Sequence, residues 1–207
     1  MSESAKSLRI VVINNLSPQD DETSPAAARA RSLRVGLLEN GYNIVAVLPP
    51  FAFNADIVAQ LSPDVLIVDA EVDPAATFAR ITAVNQINPK PIVLFTEDHD
   101  AEIAKQAVQA GVASYVVAGI APDRLRPVLE VAIARFEYEQ RLRTELCQAR
   151  EKLSERIVIE KAKGILMSKH SISEDEAHKK IRSFAMEKNL KMNEVAKRLV
   201  ETAELLG

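Results

Sequence analysis

Five short apolar runs, separated by segments long enough for helices, constrain the fold of this chain more than any other feature. The runs are continuous rather than alternating in polarity, which is typical of strands that are buried on both faces of a sheet. Strict alternation of strand and helix predicts an α/β fold with a five-stranded parallel sheet, doubly wound by helices on both sides. The runs lie at residues 8–14, 43–48, 64–69, 91–96 and 114–117.

Polar residues end three of the predicted strands, at the edge where a parallel sheet of this kind places its functional groups. Asn14, Asp69 and Thr96 occupy these strand ends, and Asn15 follows Asn14 directly. Ala118 follows the last predicted strand. We therefore expect Asn14, Asp69 and Thr96 to line one pocket at the carboxyl edge of the sheet.

A long helix is predicted to begin near Pro122 and to continue past residue 153. Apolar residues recur along it at spacings of four and three, among alternating acidic and basic residues, as in an exposed helix that pairs with a partner helix. This pattern predicts a coiled-coil dimer. The predicted seam consists of Leu142, Leu146, Ala149, Leu153 and Ile157.

The C-terminal segment is predicted to form a small all-α bundle from the end of the long helix and two further helices. Ser173 and Glu176 have the spacing of a capping box, and Asn189 can close the same helix in a left-handed conformation. Asn193 is expected to cap the last helix, and Phe184 is expected in the core because of its helical spacing. The predicted domains are 1–121 for the α/β domain, 122–155 for the linking coiled-coil helix and 156–207 for the bundle.

Charge is distributed unevenly along a chain whose net charge is −3. Residues 156–200 carry 11 lysines and arginines against 6 aspartates and glutamates, a balance of +5. This local excess is typical of a surface that binds a polyanion, although a solvated helix face with mixed charges produces a similar pattern. The charge alone leaves both interpretations open.

The composition disfavours several classes of protein. Cys147 is the single cysteine and the three histidines lack metal-ligand spacing, so we expect no disulfide framework, metal or cofactor. No pattern joins a nucleophile to a base or forms a phosphate-binding glycine loop, so we expect no enzymatic activity. The chain also lacks the apolar run of a signal peptide or membrane span, which predicts a cytoplasmic protein.

Residues 8–121 resemble the receiver domain of response regulators, which has the predicted doubly wound fold. Asp69, at the end of "PDVLIVDA", matches the phosphoacceptor of that family. Thr96 matches the hydroxyl residue that responds to the phosphoryl group, and Tyr115 matches the switch aromatic. The resemblance therefore implies that the carboxyl edge of the sheet corresponds to a phosphorylation site.

The same pocket departs from the family at the positions that support phosphorylation. Asn14 and Asn15 replace the acidic pair that binds Mg²⁺, an ion that needs several carboxylate oxygens, and Ala118 replaces the lysine. Asp20 and Asp21, in the following loop, are an alternative source of acidic groups. These departures predict a receiver that takes no phosphate, in which the strand-end carboxylate instead organises hydrogen bonds of the loops.

The strings "IEKAKGILM", "SEDEAHKKIRSFAMEKN" and "NEVAKRLVETAELL" resemble the ANTAR domain, a three-helix RNA-binding output module, over about residues 150–207. With the altered receiver, they make the chain similar to NasT-type response regulators, the transcription antiterminators of nitrate assimilation. Gly164 is expected to permit close helix packing, although it could equally let a backbone approach RNA. The matching positions are Ala162, Lys163, Gly164, Met167, Ser173, Glu176, Ala177, Arg182, Ala185, Met186, Val195 and Ala196.

The resemblance implies an antiterminator that binds hairpins in nascent leader RNA and so prevents a terminator from forming. It also implies that the target is a pair of stem-loops, which a homodimer can bind together, and that a NasS-like nitrate-sensor protein controls the binding. DNA is not an expected target, because no room remains after "NEVAKRL" for the recognition helix of a helix-turn-helix. Lysines and arginines can instead bind the phosphates and stack on the bases of an RNA loop, and Phe184 is an alternative stacking platform for a base if it does not lie in the core. The expected RNA-binding residues are Lys163, Lys179, Lys180, Arg182, Lys188, Lys197 and Arg198.

Two other functions are compatible with the sequence. One is a response regulator that depends on phosphorylation of Asp69, and the missing acidic pair and lysine argue against it. The other is a protein-interaction adaptor built on the long helix, without nucleic-acid binding. Retention on RNA at low salt, which disappears as salt rises, distinguishes an RNA-binding protein from such an adaptor.

Overall fold

The computed structural model divides the chain into two compact units, Met1–Glu139 and Gln140–Gly207. The longest helix begins in the first unit and ends in the second. The proposed domain limits differ from this division in treating that helix as a separate part. No helix in the described part of the chain is long and apolar enough to cross a membrane. The structure describes residues 7–14, 24–69, 74–117 and 122–206.

A parallel sheet and the helices around it form the first unit. Its strands are β1 (Arg9–Ile13), β2 (Asn43–Leu48), β3 (Val65–Asp69), β4 (Ile92–Thr96) and β5 (Ser114–Val117). Its helices are α1 (Pro25–Glu39), α2 (Ala55–Leu61), α3 (Pro74–Ile87), α4 (Ala101–Ala110) and the start of α5 (Pro122–His170), with a 3₁₀ turn at Pro50–Ala52. The strand order β2-β1-β3-β4-β5, with every pair parallel, confirms the predicted doubly wound α/β fold.

The three central strands β1, β3 and β4 are buried on both faces of the sheet, which explains why they are continuous apolar runs in the sequence, and the edge strands β2 and β5 are partly buried. Alternate residues of a strand face opposite sides. Val11 and Ile13 therefore pack in one cluster with side chains of α3, whereas Ile10 and Val12 pack in another with side chains of α1 and α5. All residues of β3 and β4 are buried. Removing this apolar surface from water is the main term that stabilises the first unit.

Three helices form the second unit: the end of α5, α6 (Glu174–Lys188) and α7 (Met192–Leu206). A small apolar cluster joins them, because short side chains on each helix let the backbones approach closely. This cluster contains Ala162, Ile181, Ala185, Val195 and Ala196.

Helix ends in the second unit follow local sequence signals, with one exception. The Glu176 N–H donates to Ser173 Oγ at 3.3 Å and the Ser173 N–H donates to the Glu176 carboxylate at 2.9 Å, which confirms the capping box. Asn189 closes α6 with a φ of 52°, as predicted. The prediction for Asn193 is wrong. It lies inside the first turn of α7, where its side-chain amide donates to Glu155 on α5.

Candidate functional site

The carboxyl edge of the sheet contains the predicted pocket residues that the structure describes. Asn14 follows β1, and Asp69 and Thr96 end the neighbouring strands β3 and β4. All three residues are buried. Asn15 and Ala118 lie outside the described residues, as do the two aspartates of the loop after β1.

The two positions that match the receiver switch are joined through one loop residue. Thr96 Oγ1 accepts a hydrogen bond from the Asp98 N–H at 3.0 Å, and the Tyr115 hydroxyl donates to the Asp98 carbonyl at 3.1 Å. Burial raises the pKa of Tyr115, and the charge of Asp98 raises it further. Tyr115 is therefore held as a neutral hydrogen-bond donor beside the end of β4.

Arg29, which was not predicted from the sequence, pairs with the strand-end carboxylate of this pocket. Its Nε lies 3.1 Å from Asp69 Oδ1, and its Nη1 lies 2.8 Å from Glu97 Oε1. The side chains of Arg29 and Asp69 are only 10% and 5% exposed. A buried carboxylate is costly unless an opposite charge compensates for its lost hydration. Arg29 supplies that charge from within the chain.

The position of Arg29 on α1 is the signal that could have revealed it. Ala30, Leu33 and Leu37 mark the buried face of α1. Arg29 lies four residues before Leu33, and residues four apart share one helix face. The spacing therefore places Arg29 in line with the buried face of α1, where its side chain can reach the edge of the sheet.

Lys163 differs from the other predicted RNA-binding residues because it is buried. Its ammonium lies 2.8 Å from the Glu160 carboxylate and 2.6 Å from that of Glu174, and its side chain is 8% exposed. Hydrogen bonds to Glu160 and then to Glu174 raise the pKa of Lys163, and the bond from Lys163 lowers the pKa of Glu174. The ammonium thus ties α5 to the first turn of α6. We infer a structural role for Lys163, and only the six other residues are proposed to bind RNA.

The six other predicted RNA-binding residues are exposed but do not share one helix face. Lys180 and Arg182 are two residues apart on α6, which places them about 200° apart around the helix. Lys180 and Arg198 of α7, in contrast, line one groove. The six exposed residues are Lys179, Lys180, Arg182, Lys188, Lys197 and Arg198.

This C-terminal groove has a volume of about 520 Å³ and lies between the end of α5, α6 and α7. Its apolar floor includes Leu166, Ile181 and Leu199. No acidic residue is among the described residues that line it. Its basic members are Lys169, Lys180 and Arg198, with His170 beside them.

The prediction that Phe184 lies in the core is wrong. Its side chain lines the C-terminal groove, and the residue is 47% exposed. The ammonium of Lys188 lies 5.7 Å from the centroid of the Phe184 ring, within the range of a cation–π contact. Lys180 and Lys188 lie one turn before and one turn after Phe184, so the exposed ring has a cation on either side along α6.

The helix-packing role expected for Gly164 is also wrong. Gly164 is exposed, and a Cβ atom built on it would meet no described atom of another helix within 4 Å. The described helices therefore leave room for a larger residue, although glycine inside a helix costs about 1 kcal/mol relative to alanine. The alternative, in which Gly164 lets an RNA backbone approach, stays a prediction.

The predicted dimer seam is an exposed stripe on α5. Its four large apolar side chains are between 46% (Leu142) and 61% (Leu153) exposed, and Ala149 is exposed as well. Their spacing keeps them on one side of the helix. Covering a stripe of this kind with a second helix is energetically favourable, because the apolar side chains are removed from water. Pairing of two chains through Leu142, Leu146, Ala149, Leu153 and Ile157 remains a prediction.

Known proteins resemble the chain in its C-terminal unit and over most of its length. Residues 148–200 match the ANTAR domain family. The transcriptional regulatory protein PdtaR of Mycobacterium tuberculosis is 29% identical over 166 residues, which are 80% of this chain and 81% of that protein. The nitrate regulatory protein of Klebsiella oxytoca is 38% identical over 66 residues, which are 32% of this chain and 17% of that protein. The second unit therefore contains an ANTAR domain.

The first unit has the fold of signal receiver domains. The receiver domain of a Luxo repressor protein from Vibrio parahaemolyticus superposes with a TM-score of 0.50 at 16% identity. The match covers 66% of this chain and 97% of that domain. At such low identity the likeness shows the fold alone, and it agrees with the strand order described above.

Proposed function

We propose that this response regulator, which joins a receiver-like domain to an ANTAR domain, is an RNA-binding transcription antiterminator of the NasT type. Its ANTAR domain binds hairpins in a nascent leader RNA, and the bound RNA cannot form the terminator. The observation that carries the proposal is the match of residues 148–200 to the ANTAR domain. The proposal requires no catalysis.

Exposed cations in the ANTAR segment support binding to RNA. Six lysines and arginines of α6 and α7 are exposed there, and each can neutralise a phosphate and release a counterion. Because they face several directions, a single domain can contact phosphates on more than one side of a hairpin loop. Phosphate contacts of this kind position the protein, whereas contacts to unpaired bases supply specificity.

A homodimer supports the simultaneous binding of two hairpins. The exposed stripe on α5 directly precedes the three-helix cluster of the second unit. Pairing of two chains along this stripe would link two ANTAR domains, and linked domains bind paired stem-loops more tightly than either domain alone.

Regulation of the receiver-like domain is proposed to come from a NasS-like nitrate-sensor protein rather than from phosphorylation. Asn14 stands where receivers have an acidic residue, and Asp69 is already paired with Arg29. Both features disfavour Mg²⁺-dependent transfer of a phosphoryl group. The 38% sequence identity over 66 residues to the nitrate regulatory protein of Klebsiella oxytoca supports a role in nitrate or nitrite assimilation.

This function can be tested by transcribing, in vitro, a template that contains the leader and its terminator, and by measuring how much transcription reads through the terminator. Added protein should increase readthrough, a NasS-like partner should suppress the increase, and nitrate should restore it. The triple variant Lys179→Ala/Lys180→Ala/Arg182→Ala should lose the effect, whereas Lys152→Ala, on the exposed part of α5, should keep it. Absence of readthrough together with absence of salt-dependent retention on RNA would refute the proposal.

A further inference from the structure

We propose that the C-terminal groove is a nucleobase-binding subsite, in which one unstacked base of an RNA loop stacks on Phe184 while Lys180 and Arg198 bind the phosphates beside it. This inference rests on the proposed RNA-binding function. It adds a residue that was expected in the core, and it identifies the part of the RNA that the groove takes.

The exposure of Phe184 is the first observation behind this proposal. A phenylalanine that served only the core would be covered, yet Phe184 is 47% exposed and lines an apolar groove. Nucleobases present flat π-faces that stack on such rings without a strict sequence requirement. The groove volume of about 520 Å³ lies within the usual range for small-ligand sites, so it can admit a base with part of its sugar.

The charge around the groove is the second observation, and it is complementary to a nucleotide. Lys169, Lys180 and Arg198 line the groove, and the described lining contains no carboxylate. A base is attached to a phosphate on each side, so an apolar floor beside cations matches both parts of the ligand. His170, at the same margin, can donate or accept a hydrogen bond at a base edge.

The position of Phe184 between two lysines is the third observation. Lys180 and Lys188 lie four residues to either side on α6, and the Lys188 ammonium is 5.7 Å from the ring centroid. An aromatic ring between cations one helical turn away on each side suits a single strand whose phosphates flank a stacked base. An apolar partner helix would fill the floor of the groove but would supply no negative charge to Lys180 and Arg198, which line it.

Hairpins with a fixed stem and a randomised loop provide the probe. The tightest binder of the full chain is selected, and each loop base is then removed in turn to leave an abasic site. Phe184→Leu keeps an apolar side chain but removes the π-face, and we expect it to bind the selected hairpin about tenfold more weakly. The matched control is Met186→Leu, an exposed apolar residue about 200° around α6 from Phe184.

The subsite predicts a specific coupling between protein and RNA changes. Removal of one particular loop base should weaken binding of the wild type about tenfold but should weaken Phe184→Leu hardly at all, because the stacking ring is already absent from that variant. Ultraviolet crosslinking should join that base to the tryptic peptide 183–188. Circular dichroism of Phe184→Leu verifies that this variant folds. If it does not fold, Lys180→Gln, at an exposed position, replaces it and should bind the same hairpin more weakly than the wild type.

The outcomes separate this inference from the function on which it rests. If the wild type binds no hairpin, the proposed function fails and the subsite fails with it. If the wild type binds hairpins but Phe184→Leu binds them as tightly, and each abasic site lowers the affinity of both proteins equally, only the subsite is refuted. Crosslinking of peptide 183–188 to a protein, either a second copy of the chain or a partner, in place of RNA would also refute it.

Discussion

Arg29 on α1 and Asp69 at the end of β3 form a buried ion pair, with 3.1 Å between the guanidinium Nε and the carboxylate Oδ1. The planar guanidinium also reaches Glu97 at 2.8 Å, so one cation bridges two acidic groups at the edge of the sheet. In a domain with the receiver fold, this pair changes the chemistry of the strand-end carboxylate. A carboxylate already bonded to a permanent cation is a poorer ligand for Mg²⁺ and a poorer phosphoryl acceptor.

The first prediction is that Asp69 does not take up a phosphoryl group. Incubation with Mg²⁺ and a small phosphodonor should leave the intact mass unchanged, because Asn14 supplies no carboxylate and Arg29 pairs with Asp69. Intact-mass spectrometry makes the measurement, with Asp69→Asn as the control. Near-complete addition of one phosphoryl group, abolished by Asp69→Asn, would contradict the prediction.

The second prediction concerns the stability of the first unit. Arg29→Ala should lower the free energy of unfolding by about 3 kcal/mol, because it leaves a buried carboxylate without this counter-ion. The double variant Arg29→Ala/Asp69→Asn should recover much of the loss, since the buried charge with which Arg29 pairs is then absent as well. Denaturant unfolding compares these variants with Arg34→Ala, an exposed arginine of the same helix. Equal losses for Arg29→Ala and Arg34→Ala would show that the pair does not stabilise the fold.

Local patterns in the sequence were sufficient to predict the sheet and most helix ends. Continuous apolar runs predicted five strands, and all five were confirmed. The two central strands β3 and β4 are fully buried, whereas the edge strands β2 and β5 are only partly buried. The capping box at Ser173 and the left-handed Asn189 were confirmed because both depend on bonds between near neighbours in the chain. Asn193 was misassigned because α7 begins one residue earlier, at Met192, and the Asn193 side chain instead bonds to Glu155, which lies 38 residues earlier.

Long-range contacts decide the features that the sequence did not reveal. The partner of Arg29 lies 40 residues away, so helical spacing shows the direction of the side chain but not its partner. Lys163 looks like any surface lysine until α6 folds back and places Glu174 beside it. Phe184 has core spacing on α6, and the arrangement of three helices around a groove leaves it half-exposed.

The third prediction is a pH dependence of the contact between Lys163 and Glu174. The pKa of Lys163 is raised, so its contribution is complete below the ordinary lysine value of 10.5 and is lost as pH rises through the folded-state pKa. The pKa of Glu174 is lowered, so its contribution is complete above the ordinary glutamate value of 4.5 and is lost as pH falls through its folded-state pKa. Lys163→Met should therefore be less stable than the wild type at neutral pH.

Thermal unfolding across pH measures this difference. The difference in unfolding temperature between the wild type and Lys163→Met should be largest at pH values between the two pKa values and should become smaller at both extremes of pH. Lys161→Met, at an exposed position on the same helix, serves as the control and should show no such profile. A gap that stays constant through both extremes would mean that the ion pair has no role in stability.

The fourth prediction concerns the α5 stripe. Leu146→Glu with Leu153→Glu would place like charges in the seam and should convert the dimer to a monomer, at least when RNA is bound. Light scattering with and without RNA measures the molar mass. Thr144→Glu with Gln148→Glu adds the same charges to the opposite side of the helix and should leave the dimer intact. If the seam variant keeps the wild-type mass in both conditions, the assignment fails.

The most direct test of the central claim is the affinity for a leader hairpin, measured by fluorescence anisotropy over a series of salt concentrations. Arg182→Ala should cost about 1–3 kcal/mol if the arginine contacts a base, and Lys179→Ala/Lys180→Ala should cost about 1 kcal/mol per lysine. The lysine changes should also reduce the slope of the salt dependence by about one unit for each phosphate-binding lysine removed, while Lys152→Ala should leave both quantities unchanged. Folded variants that bind as tightly as the wild type, with the same salt dependence, would show that these cations form a solvated helix face and would contradict the account.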